Sequence, residues 1–341
     1  MESLFIKMRD AISRGEDMVL CSIIASSGST PRGSGAKMVL FADGTTAGTV
    51  GGGAVEYESI KLAKKALKER REFTQGFNLS HNQTADIGMI CGGSVVVYFR
   101  FFAGNDAKAI ALFDYAAKLF SRRANAWLIT RIDTGGVVAM DIYTEGEGMV
   151  FNSGIDESAI LPLLKYRAML KQGDTTYYVE PITRAGIVYV FGGGHVSQEL
   201  VPVLSHIGFC VMVFEDREKF ADKTLFPTAA DTILGDFTDI GAKINVTEND
   251  YCVIMTRGHQ NDFELLSQVL RTKASYIGVI GSRHKIASTN KRLIDMGIPE
   301  SELARIHTPI GLEIGAETPA EIAISIAAEL IAHRASITEE K

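Results

Sequence analysis

The run Tyr189–Leu200, YVFGGGHVSQEL, sets Gly192, Gly194 and Ser197 at the three fixed positions of a G-x-G-x-x-G pattern, behind an apolar strand and ahead of a helical segment. Glycines in such a turn let the backbone approach a phosphate, and the helix-start amides of Gly193, Gly194 and His195 can meet its charge. Ser197 stands where Gly or Ala would seat the helix closest to the strand, so a slightly looser contact is expected. Glu215 ends the next strand, near where an acid hydrogen-bonds a ribose 2′-hydroxyl, with Asp216 as its rival. An acid there suits an unphosphorylated adenosine ribose. The competing reading is a tight turn that holds no ligand.

Other segments carry the same kind of chemistry. GDF (235–237), TRGHQND (256–262) and GSRHK (281–285) each follow a strand, and in a parallel sheet such loops share the carboxyl edge where ligands bind. Arg257, His259, Asp262, Arg283 and His284 are therefore expected to converge, the arginines suiting phosphate or carboxylate through paired hydrogen bonds. No tight His spacing supports a metal at His195, His259 and Asp262. Nearer the amino end, GTVGGGAVE (48–56) is a second glycine-rich entry to a helix, with Gly51, Gly52, Gly53 and Glu56, and GSTPRGSGAK (28–37) places Arg32 and Lys37 in a turn-rich loop. Exposed helix-start amides and two cations suit an anion, although no Gly-Lys-Ser/Thr makes this a P-loop. Cys91 precedes two glycines, where loop amides can favour a thiolate able to bind soft metals or carry sulfur; a buried small apolar residue is the alternative. Cys21, Cys210 and Cys252 lie inside apolar strands and read as packing residues.

These residues need two domains to position them, and 341 residues suffice for two cores. With 35 basic and 41 acidic residues the net charge is −6, which argues against a nucleic-acid partner, and the basic run KLAKKALKERR reads as the wet face of a helix. The start MESLFIKMRD lacks the apolar core of a signal peptide, EIAISIAAELIAHR is too short and too charged to span a bilayer, and four unpatterned cysteines are expected to stay reduced. A cytoplasmic protein is the expectation.

Residues 1–184 read as a mixed α/β domain: MVLCSIIAS, a hairpin about Asp43-Gly44, an amphipathic helix over GAVEYESIKLAKKALKE, and further strands such as SVVVYFRFF and AWLITRI. The boundary falls between Pro181 and Gly186. From 185 to 341 strands alternate with helices, which implies a parallel, doubly wound, Rossmann-like sheet. Thr318-Pro319-Ala320-Glu321 marks the start of the last helix. The only repeat visible is Gly-Gly-Gly at 51–53 and 192–194.

GSTPRGSGAKMVLFADGTTAGTVGGGAVE, GMICGGSVVV, VFGGGHVSQEL, TRGHQND, IGVIGSRHK and TPIGLEIGAETPAEIAISIAAELI together resemble, in order and across nearly the whole chain, the XdhC/CoxI family of xanthine dehydrogenase accessory proteins. Residues 103–180 match no family motif. The resemblance implies a maturation chaperone more than a catalyst. Such a protein binds molybdenum cofactor, supports its sulfuration and delivers it to a molybdenum hydroxylase apo-enzyme, with a desulfurase and further copies of itself as added partners. It also implies cofactor handling at Cys91, either as a ligand to the metal or as a carrier of sulfur, a cofactor-binding motif at Gly28–Glu56, and a Rossmann motif at Gly192, Gly194 and His195. Two alternatives stay open: an NAD(P)-dependent oxidoreductase using Gly192, Glu215, Arg257 and His259, and a nucleotide-sensing scaffold. No residue is assigned as a proton donor to a carbonyl substrate, as a dehydrogenase requires.

Overall fold

The structure, a computed structural model, describes the chain except residues 29, 31, 79–92, 123, 134–135, 282 and 341, and except the side chains of 121–122, 136–138, 259, 283–288 and 338–340. It divides into two compact units, Met1–Arg184 and Ala185–Glu340.

The first unit runs α1 (Glu2–Ser13), β1 (Met18–Ser27), β2 (Lys37–Phe41), β3 (Thr46–Gly48), α2 (Gly53–Glu69), β4 (Phe73–Asn78) and β5 (Ser94–Phe102). It continues with α3 (Ala107–Arg122), β6 (Ala126–Asp133), β7 (Gly136–Thr144), β8 (Gly148–Met149), α4 (Glu157–Ile160), β9 (Met169–Lys171) and β10 (Thr175–Thr183). Local chemistry explains several of these. Asp43 accepts from the Thr45 amide and hydroxyl at 2.8 and 2.6 Å, closing the hairpin between β2 and β3. Helix α2 buries Val55, Ala63 and Ala66 while Lys61, Lys64, Lys65 and Lys68 face water, and it stops at Arg70 in the left-handed region.

Two antiparallel sheets result, ordered β3-β2-β1-β5-β4 and β8-β7-β6-β10-β9. Element by element the second repeats the first: helix, three strands, helix, two strands, joined in the same order. The register repeats as well. Leu20 and Ser22 on β1 lie opposite Arg100 and Tyr98 on β5, and Leu128 and Thr130 on β6 lie opposite Glu180 and Tyr178 on β10. The sequence shows no such repeat. Helices α1 and α3 share a core with both sheets, where the Phe5 and Phe113 rings stack at 5.9 Å. Each of these buried rings contributes on the order of 2–3 kcal/mol.

The second unit carries β11 (Val188–Phe191), α5 (His195–His206), β12 (Val211–Glu215), β13 (Asp231–Leu234), β14 (Tyr251–Ile254) and α6 (His259–Val269). After these come β15 (Tyr276–Val279), α7 (Arg283–Asp295), α8 (Glu300–Leu303), β16 (Ile306–His307) and α9 (Pro319–Glu340). The six strands are parallel and ordered β13-β12-β11-β14-β15-β16, the doubly wound arrangement expected from the strand and helix alternation. Every residue of β11, β14 and β15 is buried, as a sheet covered on both faces requires. Helix α9 opens with the anticipated reciprocal cap: Glu321 accepts from the Thr318 amide at 2.9 Å and donates its own amide to the Thr318 hydroxyl at 3.3 Å.

Candidate functional site

The strand order of the second unit reverses at β11, so the crevice at the carboxyl ends of β11 and β14 is where such a sheet takes ligands. Gly192 begins the turn there with φ +105°, and a Cβ on it would stand 2.5 Å from the Met255 carbonyl beyond β14. Only glycine serves at that position. Gly194 is the N-cap of α5, and His195 is the first, exposed residue of the helix. Ser197 is buried, and its hydroxyl donates to the Gly192 carbonyl at 2.5 Å while Leu200, Val201 and Leu204 sink into the core. The hydroxyl is thus satisfied by a bond inside the turn and leaves no loose seat.

Glu215 has a different place from the one its position suggests. Its carboxylate is fully buried and accepts from the Gly193 amide at 2.7 Å, from the Arg217 Nε and Nη2 at 2.8 and 3.0 Å, and from the Asp216 and Arg217 amides at 3.2 Å. Five donors use up the lone pairs of one carboxylate, so none remains for a ribose hydroxyl. Burial opposes its charge, yet the hydrogen bonds from Arg217, Asp216 and Gly193 outweigh that and hold the carboxyl down at about 2. Burial, then the neighbouring Glu215 carboxylate, pushes Asp216 upward. Asp216 keeps a side chain 36% exposed, which makes it the acid available at this edge. Arg217 lies over the Phe220 ring, 4.0 Å from its centroid.

On the neighbouring loop Thr256 donates its hydroxyl to Asp262 at 2.6 Å, and Gly258, at φ +110°, caps α6. Arg257 is exposed beside it. The fold therefore brings the Gly192–His195 turn and Arg257 to adjacent strand ends. His259 and Arg283 open α6 and α7 along the same edge, and their side chains, like that of His284, lie outside the described residues.

In the first unit Gly51, Gly52 and Gly53 all have positive φ and lead into α2. Two of their amides are met from within the protein: Gly51 donates to the Thr49 hydroxyl at 3.0 Å, and Glu56 accepts from the Gly52 amide at 3.3 Å, from the Val50 amide at 3.2 Å and from the Thr49 hydroxyl. This turn, read in sequence as an anion site, is filled by its own helix's carboxylate. Lys37 is a second correction. It belongs to β2, not to a loop, and its buried ammonium donates to Glu180 on β10. Tyr178 donates to Glu180 and to the Ile23 carbonyl at 3.3 and 3.2 Å, and burial lifts its phenol well above the ordinary value.

Arg32 remains exposed and enters no ion pair among the described residues. It lines a cavity of about 300 Å³ with Lys7 from α1, Ser3, Leu4 and the small residues Gly35, Ala36, Ala47 and Gly48. Lys7 went unnoticed in the sequence, although its place on the exposed side of a helix that buries Leu4, Phe5 and Met8 is legible there. Glu180 also escaped notice; a lone acid in the strand TTYYVEPIT was its signal. Cys91 lies outside the described residues.

Two family descriptions match the chain: "XdhC and CoxI family" over residues 11–78 and "XdhC Rossmann domain" over 188–330. YqeB of Escherichia coli strain K12 is 25% identical over 315 residues, covering 92% of this chain, which spans 42% of YqeB's length. A Bacillus subtilis strain 168 protein, named as a probable xanthine dehydrogenase subunit, is 25% identical over 344 residues, covering 97% of each chain. A solved Bacillus halodurans structure described as a xanthine dehydrogenase superposes with a TM-score of 0.78 at 25% identity, over 97% of this chain and 96% of its own. Both family segments lie in order on one chain, and two of these relatives align with it nearly end to end; the chain belongs to the XdhC and CoxI family.

Proposed function

We propose that this protein is an accessory factor of a xanthine dehydrogenase system that binds molybdenum cofactor, supports its sulfuration and delivers it to the apo-enzyme in the cytoplasm. The observation that carries this reading is a cavity lined in part by the family's amino-terminal segment, from Arg32 to Thr49, and in part by the start of α1. It is a pocket of about 300 Å³ with two cations, Lys7 and Arg32, that have no acidic partner among the described residues. The cofactor is a pterin bearing a phosphate, so cations in a small pocket fit one end of it, and a soft thiolate suits its metal. Cys91 is the residue we assign to that second role, with the apo-hydroxylase, a sulfur-donating desulfurase and a second copy of the chain as partners. When bound, the cofactor supplies the molybdenum at which a hydroxylase works; this chain's residues hold and shield it.

A nucleotide in the second unit is the other reading, favoured by the reversal of strand order at β11. NAD(P) would have to use Asp216 for its ribose, because Glu215 is already committed.

The test is retention. Wild type and Cys91→Ser are incubated anaerobically with molybdenum cofactor and gel-filtered, and molybdenum and pterin are counted per chain. Wild type should retain both and the variant should lose molybdenum; a wild type that retains neither removes the reading.

A further inference from the structure

We propose that the cavity between the start of α1 and the β1–β2 connection is a phosphate-binding site, with Arg32 and Lys7 as its ligands. The identity of the phosphomonoester it holds, the pterin's, rests on the function proposed above; the site itself does not. The lining holds two side-chain cations with no acidic partner among the described residues, Lys7 and Arg32, while the third lysine or arginine there, Lys37, is neutralised by Glu180. Among the described residues no acidic side chain lines it. Arg32 offers the planar fork that pairs with phosphate oxygens, and Lys7 on α1 a point charge. The first turn of α1, through Ser3 and Leu4, adds the positive end of a helix.

The duplicated topology supplies an independent argument. In the second half of the unit, β6 ends at Asp133 and β7 begins at Gly136, and these two residues pair with each other, so the two strands meet within a few positions in sequence. In the first half the equivalent strands β1 and β2 are joined through residues 28–36, which deliver Arg32 and Gly35 to the cavity. The sheet does not need that length, and surplus loop on a rigid scaffold is where ligand residues concentrate. Gly48, at φ +78°, also lines the cavity and packs so close to the Lys37 carbonyl on β2 that any Cβ would collide with it. A volume of about 300 Å³ lies at the small end of ligand pockets, which suits a phosphate and its first connecting atoms rather than a whole dinucleotide.

The experiment uses the full chain and inorganic phosphate, followed by the Arg32 side-chain Nε–H resonance, assigned by its absence in Arg32→Lys. Phosphate should shift that resonance saturably. Arg32→Ala should weaken binding about tenfold, with Arg32→Lys and Lys7→Gln between it and wild type. Both side chains are exposed, so these variants keep their cores. An unmoved resonance, or one moved equally by chloride at the same ionic strength, overturns the site. Phosphate binding at Arg32 without retention of molybdenum cofactor would leave the site standing and remove the function; retention with an unmoved resonance would do the reverse.

Discussion

The ammonium of Lys37 on β2 donates to the carboxylate of Glu180 on β10, 143 residues away, and the two side chains are 3% and 4% exposed. This ion pair ties the first antiparallel sheet to the second, and the same ammonium donates to the Gly35 carbonyl at 3.4 Å, three residues after Arg32. Tyr178 joins it through Glu180 and the Ile23 carbonyl.

Removing one partner of a buried pair strands the other charge, so Lys37→Met and Glu180→Leu should each destabilise the first unit by about 3–5 kcal/mol, while the double variant recovers most of that loss. Urea denaturation of the three variants measures it. A double variant as unstable as the sum of the singles would mean that the pair is not the source.

Glu215 sets a pH dependence. Its carboxyl is held at about 2 against an ordinary value of 4.5, so its stabilisation is complete above pH 4.5 and is lost as pH falls toward 2, where the unfolded chain takes up the proton first. Asp216, raised in the folded state, works with the opposite sign and at higher pH: its penalty is relieved as pH falls through its folded value. Glu215→Gln should therefore be less stable at neutral pH, with a flatter loss of stability between pH 4.5 and 2 than wild type. Thermal unfolding followed across that range decides it.

Two glycines of similar backbone separate strain from collision. Gly44 and Gly48 have φ +84° and +78°, but a Cβ at Gly44 meets nothing within 4 Å whereas one at Gly48 strikes the Lys37 carbonyl. Gly44→Ala should cost about 1–2 kcal/mol, the strain of a left-handed alanine. Gly48→Ala should cost measurably more and also weaken phosphate binding, since β3 must move off β2 at the cavity wall. Equal losses of stability would contradict the packing described.

Glu56 serves the Gly51–Gly53 turn as Glu215 serves the Gly192–Gly194 turn: each carboxylate accepts a glycine amide, Gly52's and Gly193's, and Glu56 accepts the Val50 amide as well. Glu56→Ala should destabilise by about 1–3 kcal/mol by leaving those amides and the Thr49 hydroxyl unpaired. Hydrogen exchange should report it as faster exchange at Val50 and Gly52.

Much of the architecture is a matter of local spacing and could be read from the chain alone. The glycine turn of Gly192–Gly194, the Asp43 hairpin, the lysine face of α2 and the Thr318 and Glu321 cap each depend on residues within a few positions of one another, and each formed as its spacing dictates. The alternation of strands and helices after residue 185 likewise implied a parallel sheet, because every crossover must return across a face. The partners of charged groups were decided otherwise. That Lys37 meets Glu180, that Glu215 turns inward to the Gly193 amide on the neighbouring strand's turn, and that β6–β10 repeat the order of β1–β5 all depend on how segments apart in sequence are paired. A shift of one residue in that register would send each side chain to the opposite face, and composition holds no record of which face was chosen.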